Sequence, residues 1–161
     1  MGGIRAGSSN ETARHPPVKN DDRVFLTPDE AEERIRSIAS DLRRIYAGVA
    51  DVQIDSEEHQ YYSVSPINPK ACGFSFILDQ WLDIEPAGGR WELDWTEDGI
   101  RRFWRMVESI AAGRIVAHQG QRKSYVEIAL DDGEIERSTV MSGLFGLFAP
   151  RNKIATTFEP W

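Results

Sequence analysis

The chain has 161 residues, 40% of them hydrophobic, and its five Trp, seven Phe and four Tyr are enough to build one core. Nineteen Lys and Arg against 26 Asp and Glu give a formal net charge of −7, which argues against binding to the nucleic acid backbone, because that affinity comes from cationic side chains. The only cysteine, Cys72, excludes an intrachain disulfide and a thiolate-based zinc site, and no stretch reaches the roughly 20 apolar residues of a membrane-spanning helix, so we expect a cytoplasmic protein that is not inserted in a membrane.

The start of the chain differs in composition from the remainder. Residues 1–23 are rich in Gly, Ser, Asn, Pro and charged side chains, which is typical of a disordered leader. The first apolar cluster follows directly. We therefore expect a single α+β domain over 24–161.

A first helix is predicted to begin at Thr27, which suits the N-cap position. Pro28 fits the first helical position, and Glu30 is placed to complete a capping box. Gly48 is a plausible C-cap. The apolar residues that follow Glu30 recur every three or four positions and form one predicted buried stripe. They are Ala31, Ile35, Ile38, Leu42, Ile45 and Val49.

After Gly48 the apolar period changes from helical to alternating, which predicts an antiparallel meander. Strands are expected around Val52–Ile54, around Tyr62–Val64 and from Cys72 to Asp79. Cys72 shares the apolar face of its strand, so we interpret it as a buried strand residue and not as a nucleophile.

The run from Asp79 to Asp98 is the most unusual part of the chain. It contains seven carboxylates and three tryptophans beside one basic residue, Arg90. The segment 86–89, Pro-Ala-Gly-Gly, supplies a turn, so the run is predicted to form a β-hairpin with its acids on one face. The opposite face then carries Trp91, Leu93 and Trp95.

A second helix is predicted from Thr96, with acidic residues in its first turn and Gly113 at its end. Its expected buried face comprises Ile100, Phe103, Trp104, Val107, Ile110 and Ala111. Strands resume over 114–118, 124–130 and 134–140, with a hairpin turn at 131–133. A last strand is expected around 154–158. This order predicts an α+β fold with a mainly antiparallel sheet and two principal helices packed on one face.

Catalytic templates are absent from the sequence. It contains no GxSxG, GxxxxGK[ST], HExxH or GxGxxG motif, and no His or Cys pair has metal-ligand spacing, so we predict no enzyme activity, no cofactor and no metal. Glu57, Glu58 and His59 are adjacent and cannot converge on an extended chain, which favours a charged turn. A glycosidase reading of the acidic run fails because its solvated acids lack distinct environments.

In its later part the chain resembles bacterial polymorphic-toxin immunity proteins. The similarity lies in a Trp-rich segment leading into a helix (WELDWTEDGIRRFWRMVESIAAGRI), a following hairpin (SYVEIALDDGEIERS) and an aromatic end (TFEPW). It extends over roughly Leu82 to Trp161 and assigns no functional residue. The resemblance implies a non-enzymatic inhibitor whose acidic surface covers the cationic active site of a toxin domain.

The first functional hypothesis is therefore a cytoplasmic binding protein with a basic protein partner, acting as a monomer or weak homodimer. An opposing interpretation makes the acids an ordinary solvated face. A second hypothesis is a small enzyme or ligand-binding domain with a pocket between sheet and helices, using His118, Tyr125 or Glu127. A third is an oligomerisation module using the apolar segment 143–148. The candidate partner-binding residues are Asp79, Trp81, Asp83, Glu85, Glu92 and Asp94.

Overall fold

A computed structural model describes residues 26–56, 60–78, 80–120, 124–140 and 154–161. Predictions made for the leader, for 57–59, for Asp79 and for 143–148 lie outside these residues. The described elements, in chain order, are α1 (Pro28–Ile45), β1 (Ala50–Ser56), β2 (Tyr61–Pro66), β3 (Phe74–Leu78), β4 (Leu82–Pro86), β5 (Trp91–Leu93), α2 (Glu97–Ala111), β6 (Ile115–Gln119), β7 (Ser124–Ala129), β8 (Ile135–Val140) and β9 (Ile154–Thr157).

The predicted α+β class with antiparallel pairing is confirmed, but the strands form two sheets where one was expected. The first sheet has the order β1-β2-β3-β4-β5, and the second has the order β8-β7-β6-β9. All named strand pairs are antiparallel. The meander and the hairpin of the acidic run are therefore both present.

The start of α1 follows the sequence signal. The Thr27 hydroxyl accepts a hydrogen bond from the backbone N–H of Glu30, and the Glu30 carboxylate accepts one from the backbone N–H of Thr27 at 2.9 Å. This capping box satisfies two backbone donors that the helix leaves unpaired. The helix buries one face against the first sheet. Its buried residues are Ala31, Ile35, Ile38, Ala39 and Leu42.

The end of α1 differs from the prediction. The helix ends at Ile45 with Tyr46 as its C-cap, and the chain then turns through Gly48, whose φ of +82° suits glycine. Because the helix stops one turn early, Ile45 is 53% exposed and Val49 is 39% exposed. The predicted apolar stripe was wrong at these two positions.

Helix α2 joins the two sheets. The Thr96 hydroxyl caps it by accepting a hydrogen bond from the Gly99 N–H at 3.1 Å. The helix contacts β5 of the first sheet and β7 of the second. Of its predicted buried face, Phe103, Val107 and Ile110 are completely buried. One core cluster therefore includes residues of both sheets and both helices.

The last described residues also connect distant elements. The Trp161 ring lies 4.8 Å from the Tyr46 ring and 6.0 Å from the Phe74 ring, measured between centroids. Its indole Nε1 donates to the Cys72 carbonyl at 2.8 Å, and its backbone N–H donates to the Ala111 carbonyl at 3.0 Å. These contacts hold the first sheet against the end of α2.

Candidate functional site

The candidate site is the face of the first sheet that points away from the core, called the open face below. Side chains alternate along each strand, and one set, which includes Val52, Phe76 and Ile84, is in the core. Among the described residues, both helices pack on that core side, so no helix covers the open face. Its side chains form two cross-strand rows. They are Gln53, Ser63, Ser75 and Glu85, and then Tyr61, Ile77, Asp83 and Glu92.

Charge on the first sheet has one sign. The strands β1–β5 contain five carboxylates and no Lys or Arg. They are Asp51, Asp55, Asp83, Glu85 and Glu92. Strands β1 and β4 are three strand spacings apart, about 14 Å, so acids flank a strip of small, uncharged side chains, Ser63 and Ser75. Such an arrangement attracts a cationic surface and repels an anionic one.

Arg90, in the turn between β4 and β5, is the cation closest to these acids. Its Nη2 donates to Asp83 Oδ2 at 2.5 Å, while its guanidinium lies 3.8 Å from the nearest oxygen of both Glu85 and Glu92. The Asp83 carboxylate raises the pKa of Arg90. Asp83 is only 1% exposed, so its charge is held inside the protein by Arg90. Glu85 and Glu92 remain the carboxylates of the hairpin that solvent reaches.

The hairpin turn is fixed by the second sheet. The Arg90 backbone N–H donates to Ser138 Oγ at 3.0 Å, and the Ser138 hydroxyl donates to the Arg90 carbonyl at 2.8 Å. A side chain at Gly89 would meet Val126 and the Trp91 ring, since an added Cβ would lie 2.8 Å from the nearest Trp91 atom. A groove of about 590 Å³ remains between the turn and β8. Glu85, Arg90, Glu92, Ser138 and Thr139 contribute to its walls.

The other predicted site residues have different surroundings. The Asp94 carboxylate accepts hydrogen bonds from the backbone N–H of Thr96, at 3.3 Å, and from the Thr96 hydroxyl. A Cβ at Gly99 would lie within 2.4 Å of the same carboxylate, so Asp94 is packed into the start of α2. Trp81 is half-buried beside β4. The structure therefore brings Glu85, Asp83 and Glu92 together and gives Asp94 a structural role.

A second cluster of charged and aromatic groups lies on the face of the second sheet that is opposite α2, called the outer face below. His118 Nε2 is 2.9 Å from Glu127 Oε2, and the His118 and Tyr125 rings stack with centroids 4.4 Å apart. Arg137 Nε donates to Glu127 Oε1 at 2.9 Å, and the Arg137 guanidinium carbon lies 4.9 Å from the Tyr125 centroid. Arg137 lowers the pKa of Glu127. These groups bind one another.

This cluster bears on the hypothesis of a pocket between sheet and helices. His118, Tyr125 and Glu127 do meet, but Val126, the neighbour of two of them, is completely buried, so the trio is on the opposite side from α2. Sequence reasoning missed Arg137. The signal was present in the hairpin turn at 131–133, because pairing outward from that turn places Arg137 opposite Glu127.

Metal and membrane features were also searched within the described ranges. No group of three or more His, Cys, Asp or Glu side chains there is arranged to hold a metal ion. Neither described helix has the length and apolar content needed to cross a bilayer.

Comparisons with known proteins assign no family to the chain. No protein-family model matches it, and no curated protein or solved structure does so either. The resemblance to immunity proteins therefore stays a prediction.

Proposed function

We propose that this chain is a non-enzymatic, cytoplasmic binding protein that holds a basic surface of a partner protein against the open face of its first sheet. In the specific form of the proposal, the partner is a toxin domain and binding covers its cationic active site. The observation that carries the proposal is the one-signed charge of the strands β1–β5, which have five carboxylates and no basic residue.

Electrostatics support a protein partner of positive charge. Carboxylates spread over a face of several strands steer an oppositely charged partner and increase its association rate. Affinity also needs contact area close to the charges. The half-buried Tyr61 and Ile77 supply apolar area between the acidic rows, and Ser63 and Ser75 leave the centre of the face low.

The acids of the face have separate roles in this proposal. Glu92 is 58% exposed and Glu85 is 33% exposed, so both are accessible to a partner's Lys or Arg. Asp83 is already paired with Arg90, and we assign it to holding the hairpin turn in place. A turn fixed by Ser138 also limits the conformational entropy lost when a partner binds.

The test compares two double variants with the same charge change. Glu85→Lys with Glu92→Lys reverses the accessible acids of the open face, whereas Glu33→Lys with Glu108→Lys reverses two exposed acids on the helices. Each tagged protein is used to capture partners from a lysate of the native host, and the captured proteins are identified by mass spectrometry. We expect one basic protein with the unmodified chain and with the helix variant, and its loss with the face variant.

Two results would contradict the proposal. One is capture of the same partner by the face variant at equal yield. The other is displacement of the partner by poly-lysine at low concentration, which would mean that any polycation binds there. Circular dichroism of each variant checks that the fold is retained.

A further inference from the structure

The two sheets have four edges, and these differ in how they prevent pairing with another strand. Exposed edge strands have unpaired backbone N–H and C=O groups, and natural proteins protect such edges with charges, bulges, short strands or covering elements. Of the four edge strands in the described part of the chain, three have such protection and β9 does not.

The three protected edges each use a different device. Strand β1 has a bulge between Ile54 and Ser56 and exposes Asp51. Strand β5 has only three residues and contacts α2. Strand β8 carries Glu136, paired with Arg102 at 2.6 Å, and the neighbouring Arg137.

Strand β9 has none of these features. Its sequence, Ile-Ala-Thr-Thr, contains no charge and no proline, and its pairing with β6 runs without a bulge. All four residues are exposed, and Ile154 is 45% exposed. Ile and Thr also favour the extended conformation. One edge of β9 is bonded to β6, so the other is available to accept a further strand.

We propose that β9 is a homodimerisation edge, where a second copy of this chain adds its own β9 in antiparallel orientation. A twofold axis between Ala155 and Thr156 places Ile154 of one copy opposite Thr157 of the other, so no charged side chains face each other. Two copies of net charge −7 repel each other, and the repulsion is least along an uncharged strand. A basic partner would instead favour the acidic open face.

The joined sheet has eight strands, in the order β8-β7-β6-β9 and then the same four reversed, which is an ordinary sheet size. Four residues from each copy make a small contact. The dimer is therefore weak and depends on protein concentration.

A charge-swap experiment tests the proposal. Thr156→Lys and Thr156→Glu each place like charges beside the axis, and sedimentation velocity on each variant should give a dissociation constant raised by about tenfold or more. A mixture of the two variants should recover the dimer. Gln53→Lys, on the edge strand β1, changes net charge as Thr156→Lys does and should leave dimerisation unchanged.

A measurement on the unmodified protein guards against variants that fail to fold. Amide hydrogen exchange of Ile154–Thr157 should slow as protein concentration rises. A monomer at every concentration would overturn the proposal, as would a Thr156→Lys protein that dimerises like the unmodified one or a mixture that stays monomeric.

Discussion

The open face of the first sheet and the outer face of the second sheet both present charged side chains from β-strands, but the charges are arranged differently. On the open face, carboxylates from three strands surround a single guanidinium, that of Arg90. On the outer face, Glu127 lies between His118 and Arg137, and both contact it. The first face therefore keeps negative charge for a partner, whereas the second neutralises its charge internally.

The comparison teaches that strand register decides whether a charged face attracts a partner. The chain has enough Arg to neutralise its acids locally, and β7–β8 pairing does so by placing Arg137 directly opposite Glu127. In the first sheet, Asp83 faces Glu92 across the hairpin, and like charges opposite each other are unfavourable. Arg90 offsets this repulsion at the Asp83 end.

The largest effect is expected from breaking the Arg90–Asp83 pair. Arg90→Met leaves the buried Asp83 carboxylate without its cation, and we expect a loss of about 2 to 3 kcal/mol, at the low end for a buried pair because Arg90 is half-exposed. Denaturant unfolding measures the loss. Arg137→Met is the matched change on the outer face and should cost less, since its pair is exposed. Equal losses would contradict the contrast between the two faces.

A smaller effect is expected from His118→Ala on the outer face. The variant loses the stack on Tyr125, worth about 1 kcal/mol, and should bind the basic partner as the unmodified protein does. Thermal unfolding and the capture assay check the two parts. Loss of a measured turnover in this variant, with the open-face variant still active, would instead support the enzyme hypothesis.

The smallest effect concerns acid stability. The folded-state pKa of Glu127 lies below its ordinary value of 4.5, mainly through its hydrogen bond with Arg137. This group therefore adds stability that is present above pH 4.5 and is lost as the pH falls through the lowered folded pKa. Glu127→Gln should lessen the fall in unfolding free energy over that window. An unchanged pH profile would remove Glu127 from the account.

Local sequence signals predicted much of the fold. The capping box at Thr27, the hairpin of the acidic run and the turn at 131–133 depend on neighbouring residues, and all three are present. The division into two sheets was not predictable, because strand periodicity does not state which strands pair across α2. The early end of α1 was missed because Ile45 and Val49 continue an apolar period that the backbone abandons at Tyr46.

The candidate site was predictable in position but not in its internal contacts. Alternation placed Glu85, Glu92 and Asp83 on one face of a hairpin, as the structure has them. The burial of Asp83 depends on Arg90 folding back across the sheet, and the role of Asp94 depends on the close approach of Gly99. Both are tertiary contacts that no local pattern specifies.

The most direct test of the open face is the association rate of the captured basic protein, measured at several ionic strengths. The unmodified chain and the Glu33→Lys, Glu108→Lys variant should associate fast at low salt and slow down as salt increases. The Glu85→Lys, Glu92→Lys variant should associate at least about tenfold more slowly at low salt. Equal rates and equal salt dependence for all three proteins would contradict the account.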